Sequence, residues 1–281
     1  DKYNSLQSAL AGAERLVPLL EEEERQMADE VPDEIKHIET IEFEHVWFSY
    51  NNNDIYALED FTLNIKAGEF IGIVGPSGSG KSTLLSLLMG VYKPTRGAIY
   101  INGINIAKYD SSVLRHLMGY VFQQAYLFKG SIKDNLTLFD TSISNEEMIN
   151  AAKQVNLDAM IEQLPEGYDT PVGYLGSLLS DGQKQLLAFG RTLIKKTPIL
   201  LLDEATANID SHTEKQIQAS IESIRGSKTI VSIAHRLSTV EDANKIVYME
   251  YGKIIEKGSF DELINLKGAF YNLWNNQHSG S

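Results

Sequence analysis

The residues from Gly75 to Thr83 read GPSGSGKST, a glycine-rich stretch that ends in a lysine and two hydroxyls. Glycines let consecutive backbone N–H groups turn inward, where they can surround anionic oxygens. A helix starting at Lys81 adds the positive potential of its N-terminus. Such a loop cradles a phosphate chain, with Gly75, Pro76, Ser77, Gly78, Ser79 and Gly80 as its wall. Lys81 then reaches the β- and γ-phosphates, Ser82 places its hydroxyl on Mg²⁺, and Thr83 completes the spacing G-x-x-x-x-G-K-[ST]. The chemistry indicated is nucleotide binding.

A second constellation lies further on. The stretch ILLLDEATANID places Asp203 and Glu204 at the end of an apolar run. In a parallel sheet that end opens onto the ligand crevice. Asp203 suits the Mg²⁺ shell, and Glu204 suits the polarisation of an attacking water. The competing reading makes the pair an acidic cap for a turn starting at Ala205. His235, in SIAHRLSTV, ends the neighbouring apolar run, where it is placed either to contact a γ-phosphate or to serve a structural role. A guanine-specific N-K-x-D reader is absent, because Asn244 and Lys245 are followed by Ile246 and Val247. No arginine-rich lid of a nucleoside kinase is visible.

These residues need elements to hold them. Ile41–Tyr50 alternates like a strand, 61–65 reads as a second, and Phe70–Val74 is a continuous apolar run of the buried parallel kind. A helix follows the glycine loop. Short strands are expected at 98–103 and 120–124, and a helix over 144–164 opened by a capping box of Ser144 and Glu147. Buried strands at 198–203 and 229–235 flank a helix through 214–224. A hairpin over 245–258 and a short C-terminal helix close the pattern. Apolar strands alternating with helices predict an α/β fold around a parallel central sheet. Ahead of it, Leu6, Leu10, Ala13, Val17 and Leu20 fall on one helical face, which Pro18 should end near Val17.

The chain has 281 residues, a formal net charge of −13 and no cysteine. The acidic balance argues against nucleic acid as a partner of the whole domain, and disulfide or thiolate chemistry is excluded. No stretch is long and apolar enough for a membrane span. The chain opens DKYNSLQSAL, without an initiator Met, as a segment of a longer protein would.

Together these residues resemble the ATP-binding cassette family, specifically the nucleotide-binding domain of an exporter. The resemblance implies a P-loop NTPase core with a parallel central sheet, plus an antiparallel β-subdomain and a helical subdomain at about 125–190. It implies ATP and Mg²⁺ as cofactors. Tyr50 would stack on adenine, unless it is simply a strand-end tyrosine. Gln123 would link Mg²⁺ and water to a membrane domain, although Gln124 beside it leaves the assignment ambiguous by one residue. Asp210 resembles the D-loop aspartate that crosses to a partner, and His235 the switch histidine. Residues 1–37 resemble the linker that follows a transmembrane domain upstream of residue 1. Residues 38–277 would form the cassette at the cytoplasmic face of a membrane, and 278–281 an appended tail.

The segment GSLLSDGQKQLLAFGRTL resembles the family signature, in which Ser180, Gly182 and Gln183 would cover the nucleotide of a second, head-to-tail domain. Asp181 stands where a second glycine would be expected. One reading makes it the helix cap. The other is electrostatic: two unit charges about 4 Å apart repel by about 4 kcal/mol at an effective dielectric of about 20, unless a cation intervenes. A carboxylate facing phosphates would weaken the clamp and imply a partner that is a different chain. Tyr174 is a further departure, in a loop where exporters usually carry glutamate.

Overall fold

The computed structural model describes residues 32–51, 55–205 and 209–278, with the backbone alone at residue 278. The helix expected over residues 6–20 lies outside these residues. The described chain opens with helix α1 (Asp33–Lys36). Residues 33–37 read from sequence as the end of a linker, yet Ile35 is fully buried in the core. The Asn102 amide fastens this segment by donating to the carbonyls of Glu34 and His37.

Strands β1 (Thr40–Phe48), β2 (Leu58–Lys66) and β3 (Phe70–Val74) come next, then helix α2 (Lys81–Leu88). Strands β4 (Arg96–Ile101) and β5 (Ile104–Asn105) precede helix α3 (Ser111–Leu117) and strand β6 (Met118–Val121). A run of helices follows: α4 (Ile132–Thr137), α5 (Asn145–Gln154), α6 (Asp158–Glu162) and α7 (Asp181–Ile194). The order then alternates through β7 (Ile199–Asp203), α8 (Ser211–Ile224), β8 (Thr229–Ile233), β9 (Lys245–Glu250) and β10 (Lys253–Gly258). Helices α9 (Phe260–Leu266) and α10 (Ala269–His278) end the described chain, where a single short helix was expected.

Two sheets result. The antiparallel one runs β2-β1-β4-β5, and the larger one β10-β9-β3-β8-β7-β6. Strand β3 pairs in parallel with β8 and β9, and β7 in parallel with β6 and β8. Among the described residues, the β9–β10 edge is the one antiparallel pairing of this sheet. Both faces of the large sheet are covered, so alternate residues of one strand enter different cores. Phe70 and Val74 pack with the helical layer, while Ile71 and Ile73 pack with the antiparallel sheet and α2. That two-sided burial explains why these strands read as unbroken apolar runs.

The helix expected over 144–164 is broken into α5 and α6. Asn156, at φ 58°, takes the left-handed conformation that asparagine tolerates and ends the first helix. The Ser144–Glu147 capping box forms as expected. The strand expected at 120–124 begins earlier and ends at Val121, leaving Phe122 to Gln124 in a loop.

Candidate functional site

Strand β3 delivers the glycine loop to the end of the large sheet, and α2 begins at Lys81. Two glycines have steric reasons to be there. A Cβ at Gly75 would lie 2.1 Å from the Met249 carbonyl, and one at Gly80 would lie 2.3 Å from that of Ala57. At Gly78 there is open space, but φ is +79°. The loop is thus pressed against its support at both ends and free at its crest. Ser79 is buried and its Oγ has no hydrogen-bond partner. Lys81, also buried, donates to the carbonyls of Gly75 at 2.9 Å and Pro76 at 2.8 Å. Burial lowers its pKa, and the negative charges of Glu204 and Asp203 partly restore it. The lysine is therefore a buried ammonium held by two loop carbonyls.

Those carboxylates are each held. Ser82 Oγ lies 3.4 Å from Asp203 Oδ1, and the Tyr120 hydroxyl donates to Asp203 Oδ2 at 2.7 Å. Burial foremost, and then the bond to Asp203, push the Tyr120 pKa well up, so the phenol stays a donor. Glu204 follows β7 with φ at 50°, a left-handed conformation that is strained for a non-glycine residue. Its N–H is fixed by the Ile233 carbonyl at 3.0 Å. Its Oε2 accepts from Gln123 Nε2 at 2.7 Å. Gln123, rather than Gln124, makes this contact. Asp203 thus faces Ser82 and Glu204 faces Gln123, while Ala205 begins a turn as the competing reading expected.

Tyr50 lies just past β1. Its ring meets Phe48 and Tyr92 edge-on, with centroids 4.9 and 5.3 Å away. Its hydroxyl is 2.8 Å from Thr83 Oγ1, which ties the aromatic group to α2. His235 sits exposed beyond β8, and its carbonyl accepts from Gln277. Lys81, Ser82, Asp203, Glu204 and Gln123 are thus brought together, with Tyr50 and Thr83 alongside.

Ser180, Gly182 and Gln183 form no hydrogen bond with that cluster. Ser180 caps α7 in a reciprocal box with Gln183. A Cβ at Gly182 would lie 2.6 Å from Thr213 Oγ1, so glycine permits α7 and α8 to approach closely. Asp181 is not the cap, contrary to the benign reading. It occupies the first helical position, and Oδ1 pairs with Lys184 Nζ at 3.0 Å. The cation required to offset its charge comes from its own helix. Asp210 caps α8, accepting from the backbone of His212 and Thr213 and from the Thr213 hydroxyl. Those bonds, Thr213 first, lower its pKa. Residues 206–208 lie outside the described residues.

Several contributors escaped the sequence reading. Tyr120 had a faint signal, an aromatic in the strand next to Asp203. Lys184 was visible only as an i+3 partner of Asp181. Gln185 and Arg191 gave none, because their partners are backbone carbonyls far away in sequence.

The group these residues fit is Mg²⁺ with a nucleoside triphosphate. The unpartnered Ser79 hydroxyl and the open crest at Gly78 suit a phosphate chain. Ser82 and Asp203 offer two hard oxygens, and Mg²⁺ takes few protein ligands beside phosphate and water. No group of three or more acidic or histidine ligands exists among the described residues.

Comparison with known proteins points the same way. A family model described as ABC transporter matches residues 58–207. The ATP-dependent lipid A-core flippase of Legionella pneumophila is 40% identical over 98% of this chain and 47% of that protein. The beta-(1→2)glucan export ATP-binding/permease protein NdvA of Bartonella bacilliformis is 43% identical over 83% of the chain and 39% of its own length. A solved bacterial Atm1-family ABC exporter with ATP bound superimposes with a TM-score of 0.86 at 35% identity, covering 98% of this chain and 49% of that one. The chain spans about half the length of the curated relatives it matches.

Proposed function

The chain belongs to the ABC transporter family, and from that premise we propose that it binds Mg²⁺-ATP and hydrolyses it in a head-to-tail pair of such domains. The observation that carries the reading is the convergence of Lys81, Ser82, Asp203, Glu204 and Gln123 at one end of the parallel sheet. In this role Glu204 accepts the proton-bearing side of a water, and Gln123 holds its carboxylate in place. Lys81 and the loop N–H groups bind the phosphates, while Ser82 and Asp203 would hold the Mg²⁺. The ion, when bound, neutralises charge on the phosphoryl oxygens. Tyr50 would pack against the base, His235 would contact the γ-phosphate, and Asp210 would lie at the boundary with the second domain.

The power would serve export through a membrane domain preceding residue 1, which places the domain at the cytoplasmic face. An open groove of about 350 Å³ at Phe122 would offer that domain a seat. It is lined by Met89, Phe122, Tyr126, Phe128 and Leu138, and Phe122 is 56% exposed. Ser180, Gly182 and Gln183 would cover the nucleotide of the second domain. The second domain is read as a different chain, on the ground that Asp181 adds a carboxylate to this cover, and its pair with Lys184 is exposed and therefore weak.

Glu204→Gln should lower turnover by about 10²-fold or more while leaving ATP binding intact. Phosphate release and equilibrium nucleotide binding measured together decide it. Unchanged hydrolysis would remove Glu204 from the reaction.

A further inference from the structure

Helix α7 holds the loop that carries Gln123 at two points. Gln185, 3% exposed, donates its amide Nε2 to the Phe122 carbonyl at 2.7 Å. Phe122 is the residue directly before Gln123. Two turns further along the same helix, Arg191 Nη1 donates to the Tyr126 carbonyl at 2.6 Å. Its Nε and Nη2 donate to the carbonyl and Oδ1 of Asn135, each at 2.6 Å. The fully buried Asn135 in turn bonds both the N–H and the carbonyl of Phe128. Arg191 also stacks over the Phe128 ring at 5.7 Å. The stretch 122–128 is therefore fastened at its start by Gln185 and at its end by Arg191 and Asn135.

We propose that Gln185 is a positioning residue: through the Phe122 carbonyl it sets the reach of Gln123 to Glu204, so that a shift of the signature helix moves the group that holds the water-polarising carboxylate of the same chain. The inference rests on the reading of Glu204 given above. Its physical basis is rigidity. A buried amide on a carbonyl cannot exchange its partner for water without cost, so the carbonyl follows the helix. A planar peptide joins that carbonyl to the backbone N of Gln123, so the point from which the Gln123 side chain reaches Glu204 is fixed with it. The N-terminus of the same helix is the segment proposed to meet the second nucleotide, and one rigid element then serves both contacts.

The test is a double-mutant cycle of Gln185→Met, which keeps the volume and loses the donor, with Gln123→Ala, alongside Glu204→Gln. Steady-state ATP hydrolysis gives kcat and KM, and hydrogen exchange is followed over residues 122–128. Expected are a kcat roughly tenfold lower for Gln185→Met with KM within about twofold, and no further loss when it is added to Gln123→Ala. Faster exchange confined to 122–128 accompanies it, with a melting temperature lower by only a few degrees, about what one lost hydrogen bond costs. Losses that multiply in the double variant, or protection of 122–128 equal to the parent's, overturn the proposal. If Glu204→Gln hydrolyses ATP as the parent does, the functional reading falls instead, and the exchange experiment still decides whether Gln185 holds the loop.

Discussion

Two side chains show how much depends on partners that a motif does not contain. Asp203 alone is a carboxylate at a strand end. With Tyr120 donating to one oxygen, its other oxygen is directed to Ser82. Removing that single hydroxyl by Tyr120→Phe leaves the ring packing intact. It should raise the Mg²⁺ concentration for half-maximal hydrolysis by about tenfold, as loss of a bond to a metal-ligating carboxylate does elsewhere. Titration with Mn²⁺ read by electron paramagnetic resonance checks the same shift without turnover, and equal affinity in both proteins would exclude the role. Asp181 teaches the converse. From sequence it posed a choice between cap and repulsive charge. The structure gives the cap to Ser180 and pairs Asp181 with Lys184, an outcome legible only once the helix phase was known.

At the scale of elements, the large sheet was legible because burial on both faces writes continuous apolar runs. Phe70–Val74 has the same limits in sequence and structure. Boundaries failed where a single backbone conformation decides them, as at Asn156 between α5 and α6, or where Phe122 leaves the strand to follow Gln185. The start of α5 was plain, since its capping box uses local partners alone. Glu147 serves that box and also bonds Lys196, and this bond foremost, with those from Ser144, lowers its pKa from 4.5 to about 2. A depressed folded pKa stabilises above the unfolded value, and the contribution is lost as pH falls through 4.5 toward 2. Glu147→Gln should therefore melt below the parent at neutral pH, and the gap should close toward pH 2. Thermal denaturation across that range checks it; a gap independent of pH would assign the effect to packing.

For the molecule as a whole, the glycine loop and the acidic pair lie on neighbouring parts of one sheet, which made the site readable from two motifs. What stayed hidden were contacts between distant segments, such as Arg191 with Tyr126, since no local pattern encodes them. Asp181 bears on the head-to-tail pair proposed above. Size-exclusion chromatography of Glu204→Gln with Mg²⁺-ATP, with and without Asp181→Gly, separates the cases. If only the double variant dimerises, the carboxylate weakens the clamp and a pair of unlike chains follows. Dimerisation of Glu204→Gln alone would favour like chains, in keeping with the screening by Lys184.

The order of strands also has a consequence for the newly made chain. The antiparallel layer completes its pairings within residues 40–105, among neighbours in sequence. Strand β3, which carries the glycine loop, must wait for partners from the far end: Phe70 N bonds Asn244 Oδ1 across 174 residues, and Gly68 N bonds Thr229 Oγ1 across 161. At about 5–20 residues per second, the ribosome leaves that strand without its flanking neighbours for roughly 10–30 s. Throughout that interval an apolar strand stands unpaired, so the nucleotide site can form only late in synthesis, and until then its edges are open to mispairing.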